Sequence, residues 1–496
     1  MRKIGTTSVL MAFIFGVPIT LALRTRIYNP DIWFHLRTGD WILLHNTFPQ
    51  TDPFAQGGAQ RTFIAYSWLF DVMAAKLYTA FGLLFVPVSA TLLSVAIVLA
   101  FFLLLRCFRV GLIQTALLIL FAMTAIRPLL YLRTWLFTIL FFVLEIWLLF
   151  RPGGNSKRAL IILPMIFVFW ANIHIQFVYG LFIVGLFLAE AIFLRFTKWR
   201  LPSVAPQWTL TDRALLLLLC GLATLANPYG YRLYKVVADY ASQTGVFPYI
   251  RETWPLNYNH PSYTACLIVS ALAIWCIGYY RERRPFVIVF LAWALFVGFH
   301  LARDSWALVA ASCFVIAVTN NDLTKSHEAM RLRSVLGASA LVLILFAGLS
   351  RGRHIDRQHL AASVRQNFPV DAADYIERNH LTGPLFNTFA WGGYLMWRLP
   401  LIPVSIDGRS NLYGSARVER QRRTLSADPG WTQDPSITAA RLILLPVDEP
   451  LTSVLKVHPC YRLAYSDTVS AVFTTRDDSS HVECPGALPD PEYHHN

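Results

Sequence analysis

Residues 83–105 read LLFVPVSATLLSVAIVLAFFLLL, a run with no charged side chain. A helix needs roughly 20 apolar residues to cross the hydrocarbon core of a bilayer, and this run supplies them. Working outward, further runs of the same kind fall at 7–23, 110–126, 134–150, 159–173, 176–194, 213–227, 263–280, 286–301, 305–319 and 334–350. The pattern predicts a polytopic α-helical membrane protein with about eleven transmembrane helices. Composition agrees. Of 496 residues, 55% are hydrophobic and 15% charged, against about 25% charged in an ordinary soluble domain. Mean hydropathy is +0.47. These values exclude a soluble globular enzyme and a disordered chain. Seven cysteines are too few for a disulfide-dense secreted module.

The first run follows Arg2 and Lys3 and looks like the core of a signal peptide. No small-residue cleavage site follows it; the bulky Arg24, Arg26 and Tyr28 do. It therefore reads as a retained helix with a cytoplasmic N-terminus. Each loop then expected in the cytoplasm is basic: Arg106 and Arg109; Arg151, Lys157 and Arg158; Arg195, Lys198 and Arg200; Arg281, Arg283 and Arg284; Lys325, Arg331 and Arg333. That is the positive-inside pattern. The net charge of +14 is accordingly an orientation signal. A nucleic-acid partner would require a basic stretch with interleaved aromatics on a soluble domain, and none is expected. An odd number of crossings places the C-terminus outside. The expected division is a transmembrane helical domain over 1–350, with a first external loop at 24–82, and an extracytoplasmic mixed α/β domain over 351–496. In the latter, 401–406 and 471–475 read as strands and 372–379 as an amphipathic helix. Cys460 and Cys484 are its only cysteines, and a disulfide between them is chemically allowed outside the cytoplasm.

Polar side chains with chemical potential gather on the outer side. Within the apolar runs only Glu145 and Glu190 stand out, whereas an ion carrier would place charge near the midplane. The first loop contains Asn29-Pro30-Asp31-Ile32-Trp33-Phe34-His35-Leu36-Arg37-Thr38-Gly39-Asp40. Pro30 can open a helix, which sets Asp31 and His35 at i and i+4 on one face. Asp31 is then either a helix-start residue favoured by the macrodipole, or a metal ligand or general base with His35 as second ligand or orienting group. Asp52 before Pro53 reads as a turn, with a role at the site as the second reading. The stretch 67–82 carries Asp71 and Lys76 and is expected to lie at the membrane interface. Arg127, Arg133 and Arg303 are either headgroup anchors or ligands for a phosphate. His174 either lines a cavity or closes a tight turn. Glu252 either offers a second carboxylate to a metal or pairs with an arginine. In the tail, Trp391-Gly392-Gly393-Tyr394 allows a close backbone approach or a bulge, and Asp407-Gly408 reads as a turn after a strand.

The segment Asn-Pro-Asp-x-Trp-x-His-Leu-Arg-x-Gly from Asn29, with His45, Pro49 and Asp52-Pro53-Phe54 behind it, resembles the first external loop of oligosaccharyltransferase catalytic subunits. Those are GT-C fold enzymes that transfer glycan from a polyprenyl (pyro)phosphate carrier. The layout is similar to a group of bacterial GT-C-like membrane proteins. The resemblance implies a glycosyltransferase of a bacterial inner membrane that moves a sugar or glycan from a polyprenyl-phosphate carrier to an acceptor glycan, lipid or protein at the outer face. It implies that Asp31 binds Mg²⁺ or Mn²⁺ or acts as base, that His35 orients or co-ligates, and that Glu252 completes the site. Arg127, Arg133, His174, Arg303, Trp391 and Tyr394 would then meet the substrate. Trp391-Gly392-Gly393-Tyr394-Leu395 looks like the family's Trp-Trp-Asp-Tyr-Gly segment, but two glycines stand where the family's sequon-reading Asp would be. A non-catalytic scaffold that binds lipid-linked saccharide or a partner protein is the alternative expectation, and a flippase the third.

Overall fold

The computed structural model describes residues 6–23, 26–197, 199, 208–242, 245, 248, 250–319, 332–352 and 355–476. Most of them are helical, with one small sheet near the C-terminus. The chain forms two compact units. The first comprises Met1–Thr25, Leu84–Arg232 and Ile250–Ile355; the second comprises Arg26–Leu83, Leu233–Tyr249 and Asp356–Asn496. The first loop thus groups with the tail, together with a short piece from the middle of the chain.

In the first unit, a helix covers each expected apolar run. These are Thr6–Ala22, Phe85–Cys107, Leu112–Ala125, Trp135–Phe150, Ser156–Ile173, Phe177–Phe196, Leu210–Ala223, Pro261–Tyr279, Pro285–His300, Ser305–Thr319 and Leu332–Gly352. Local chemistry sets several starts. Thr209 and Asp212 cap each other's backbone N–H, the reciprocal capping box. Asn155 accepts from the Arg158 N–H, and Pro261 and Pro285 occupy first positions where no N–H is needed. Five helical stretches are long and apolar enough to cross a membrane: Trp68–Cys107, Ser156–Ile173, Phe177–Phe196, Pro261–Tyr279 and Ala302–Thr319. Shorter apolar helices accompany them, among them Leu112–Ala125, Trp135–Phe150 and Pro285–His300.

The helix Ser305–Thr319 runs through the middle of this unit and is buried from Ser305 to Ala317. Its Ala307, Ala310, Ala311 and Ala317 are small, which lets neighbouring helices approach closely. Around it the outer helices turn apolar side chains outward. Ile113, Leu117 and Phe121 are exposed on one helix, and Ile161, Met165 and Phe169 on another. Each set recurs every fourth residue and forms one stripe. Glu190 is satisfied where it stands: Arg284 grips it with Nε at 2.9 Å and Nη2 at 2.8 Å, and Phe286 N–H donates to it at 3.1 Å. Glu145 is fully buried, and neither carboxylate oxygen has a hydrogen-bond partner among the described residues. Of the basic loop residues, Lys198, Arg200, Lys325 and Arg331 lie outside the described residues.

In the second unit, strands β1 (Leu385–Asn387), β2 (Leu442–Pro446), β3 (Tyr461–Ser466) and β4 (Ser470–Thr475) form a sheet in the order β1-β2-β4-β3. β1 and β2 are parallel; β2–β4 and β3–β4 are antiparallel. The β3–β4 turn is closed by Asp467, whose Oδ1 accepts from Val469 N–H and Ser470 N–H, both at 2.7 Å. Phe386, Ile443, Leu445, Leu451, Leu455 and Phe473 make the core beneath it. The expected strand at 471–475 lies within β4, and the expected helix at 372–379 corresponds to Val370–Arg378. The stretch 401–406 is not a strand; it touches the sheet only through single bridges from Val404 to Leu385 and Ala55. Residues 389–398, expected to be a strand with a bulge, form the helix Phe389–Arg398. Its glycines serve the close approach that the sequence allows for, in a helix rather than a sheet. Cys460 is disulfide-bonded; its expected partner Cys484 lies outside the described residues.

Candidate functional site

The second unit assembles its polar centre from the loop helix Asp31–His45. Pro30 stands at the N-cap, Asp31 opens the first turn, and Asn46, at φ 50°, ends the helix. The buried face includes Asp31, Trp33, Phe34, His35, Thr38, Gly39 and Ile42. Trp33 packs edge-on to Tyr394 at 5.0 Å and to Phe368 at 5.5 Å, and lies 4.8 Å from Trp397. Trp391 donates its indole N–H to the Asn367 carbonyl at 3.1 Å. Trp391 and Tyr394, expected to meet substrate, are therefore both buried packing residues that fix the loop helix.

The two glycines between them have a physical reason. A Cβ on Gly392 would fall 1.9 Å from the Ile406 carbonyl oxygen, and one on Gly393 would fall 3.0 Å from the Pro30 carbonyl oxygen. A Cβ on Gly408 would fall 3.0 Å from Asp31 Oδ1. The start of the loop helix is thus wedged against two tail segments, and Asp31 faces the Asp407–Gly408 turn. Asn387 holds that turn in place. Its Nδ2 donates to the Ile406 carbonyl at 2.8 Å and its Oδ1 accepts from Ser405 N–H at 2.9 Å.

One helical turn along the same face, His35 Nδ1 lies 2.5 Å from Asp71 Oδ1, on the helix Trp68–Phe81. Both side chains are buried. Close approach of the two helices is set by Gly39, where a Cβ would fall 2.1 Å from the Asp71 carbonyl oxygen. The partner that holds His35 is therefore Asp71, which sequence reading placed at the interface and did not connect to the site.

Beyond Asp31 lies a buried ion cluster. Arg409 donates from Nε to Asp407 Oδ1 at 2.8 Å and from Nη2 to Asp407 Oδ2 at 2.7 Å. Its Nη2 also reaches Asp52 Oδ1 at 3.0 Å. Phe54 and Phe63 flank the guanidinium at 5.1 and 4.7 Å, and the Tyr413 hydroxyl donates to Asp407. Burial alone would raise the Asp407 carboxyl, but the Arg409 charge and the hydrogen bonds outweigh it and hold it below the carboxylate range. Burial and the Asp407 charge push the Tyr413 hydroxyl well up, so it stays a donor. Asp52 is the expected turn residue, accepting from Phe54 N–H at 3.1 Å, and is also a ligand of Arg409.

The remaining candidates belong to the first unit, where they occupy its turns. Arg133 Nη1 donates to Glu252 at 2.6 Å and lies 4.3 Å over the Trp135 ring. The turn after Glu252 is tied to the one carrying Arg303, since Ala302 N–H donates to the Trp254 carbonyl at 2.8 Å. Asp304 accepts from Gln176 at 2.7 Å and from Tyr179 at 2.9 Å. His174 Nδ1 meets the Thr138 hydroxyl at 2.8 Å, which also accepts from the Trp170 indole. Arg127 opens the short 3₁₀ turn Arg127–Leu129. Arg133, Glu252, Arg303 and His174 thus belong to tied turns of one unit, and the Arg–Glu pairing of Glu252 is formed.

Among the described residues, no group of three or more His, Cys, Asp or Glu side chains is arranged to hold a metal ion. The donors near Asp31 do not fit a resident divalent cation. Asp52 and Asp407 are neutralised by Arg409, His35 Nδ1 is committed to Asp71, and hard cations prefer oxygen to imidazole nitrogen. No role is assigned to a metal.

No protein-family model matches the chain, and no curated protein matches it either.

Proposed function

We propose that the chain is an integral membrane glycosyltransferase of the GT-C type, resident in a bacterial inner membrane. It takes a sugar from a polyprenyl-phosphate carrier and passes it to an acceptor at the outer face. One observation carries this reading. The loop segment around Asp31 and the tail segments 391–395 and 406–409, all three chosen from sequence for one resemblance, converge on Asp31 within one compact unit. Two further features support it. The outward apolar stripes suit lipid contact, since soluble monomers seldom expose such surface in long rows. Crossing parity also agrees. The second unit is built from three chain pieces, which must share one side of the membrane. Between its first and second pieces run the helices from Phe85–Cys107 to Leu210–Ala223, six in number, and between its second and third run four, from Pro261–Tyr279 to Leu332–Gly352. Both numbers are even.

In this reading the Asp31 carboxylate accepts a hydrogen bond from the acceptor's nucleophilic group and aligns it with the sugar's anomeric carbon. In the first unit, Arg127, Arg133 and Arg303 supply cations for the carrier phosphate, where negative charge grows as the glycosidic bond breaks. The test is Asp31→Asn in the full-length protein. Sugar transfer from a short-chain polyprenyl-phosphate donor falls by roughly a hundredfold or more, while donor binding is retained. Wild-type transfer by the variant overturns the assignment. A second reading, a scaffold that binds lipid-linked saccharide without turning it over, draws on one feature: the Asp52–Arg409–Asp407–Tyr413 cluster is satisfied internally and serves packing. Donor binding with no transfer by the wild type selects it.

A further inference from the structure

The pair His35–Asp71 has the features of a general base and its orienting group. A carboxylate accepts hydrogen bonds and cannot donate them, so an ionised Asp71 fixes the proton of neutral His35 on Nδ1. The basic lone pair is then on Nε2, which has no hydrogen-bond partner among the described residues. The imidazole is clamped between the Phe34 ring at 4.2 Å and the edge-on Phe70 ring at 4.8 Å. It follows Asp31 by one turn on the same buried helix face. A neutral histidine held in one tautomer beside the acceptor-aligning carboxylate is what proton removal from a hydroxyl requires.

We propose that His35 Nε2 is the catalytic base of the transfer, that Asp71 is its positioning residue, and that the acceptor nucleophile is a hydroxyl group. The proposal rests on the glycosyltransferase reading. In the step, the acceptor O–H gives its proton to His35 Nε2. The acceptor oxygen forms a bond to the anomeric carbon, and the bond from that carbon to the phosphate oxygen breaks. The electron pair leaves with the polyprenyl phosphate. The imidazolium is stabilised by Asp71 until the proton is released to water.

The experiment uses the full-length protein in detergent, with farnesyl phosphates of mannose, glucose and galactose as donors and octyl glucoside as the hydroxyl acceptor. His35→Gln is expected to lower kcat by roughly 10²–10⁴-fold with KM held. Asp71→Asn is expected to lower kcat by roughly tenfold or more, again with KM held. Added imidazole is expected to restore part of the turnover of His35→Ala and none of that of Asp31→Asn. Unchanged kcat in His35→Gln overturns the proposal and leaves the transferase reading standing. If the wild type transfers none of the sugars, the transferase reading is what fails. The pair is then judged by a second measurement, carbethoxylation with diethylpyrocarbonate read by peptide mass spectrometry. Modification of His35 that slows in Asp71→Asn supports an accessible, oriented Nε2. No modification of His35 under conditions that modify the exposed His45 overturns it.

Discussion

Arg409 neutralises two carboxylates in a buried place, and its energetics are lopsided. Replacing it with methionine leaves Asp52 and Asp407 buried without their cation, a change that costs about 3–5 kcal/mol. The thermal midpoint of purified Arg409→Met, followed by intrinsic fluorescence, is expected to fall accordingly. The same cluster sets an acid limit. The Asp407 carboxyl is lower in the folded protein than in the unfolded chain, so the unfolded state binds more protons. The resulting stability is fully present above the ordinary carboxylate value of about 3.9 and is lost as pH falls through the lower folded value. In Arg409→Met that depression is gone, and the acid-induced drop in midpoint is expected to begin at higher pH. Glu145 is the converse case. Its oxygens have no partners to orphan, so Glu145→Met is expected to leave the midpoint unchanged or raise it by about 1–3 kcal/mol in stability. At this scale the sequence shows Asp31 and His35, because their i and i+4 spacing is local. It does not show Asp71 or Arg409 as partners. A pairing between Asp52 and Arg409 spans 357 residues, and no short-range pattern encodes it.

Elements in the second unit meet through glycines, and the cost of filling each gap can be compared. Gly39 and Gly392 face backbone carbonyls at 2.1 and 1.9 Å from a built Cβ. Backbone cannot swing aside as a side chain does, so Gly39→Ala and Gly392→Ala each cost about 1–3 kcal/mol. Gly185, within the helix Phe177–Phe196, meets nothing within 4 Å, and Gly185→Ala is expected to be neutral or stabilising by up to about 1 kcal/mol. Midpoints of the three variants measured side by side test the ranking. Helices of the first unit are legible from sequence because a long apolar run has few other outcomes. The helix Phe389–Arg398 is not, since Trp-Gly-Gly-Tyr with aromatic neighbours carries strand propensity. Tertiary packing of Trp33 against Tyr394 and Trp397 decides it.

For the molecule as a whole, the three-piece second unit constrains topology more firmly than any single span. Residues near 45, 235 and 420 are expected to share one side of the membrane. Single-cysteine labelling at those positions with a membrane-impermeant maleimide checks this; opposite sides for any two would break the unit. The apolar runs and their basic loops were readable from charge and hydropathy, whereas the joining of 26–83 with the tail was not, because it depends on side-chain complementarity at long range. The same construction bears on biogenesis. Trp33 and Phe34 are buried only once the helix Phe389–Arg398 exists. At about 5–20 residues per second on the ribosome, the 357 residues from Asp52 to Arg409 take roughly 20–70 s to emerge. Throughout that interval the newly translocated loop exposes aromatic surface with nothing to cover it. Export of this chain therefore creates a sustained demand for holding factors outside the cytosol, and a stalled or truncated nascent chain is a target for envelope proteases.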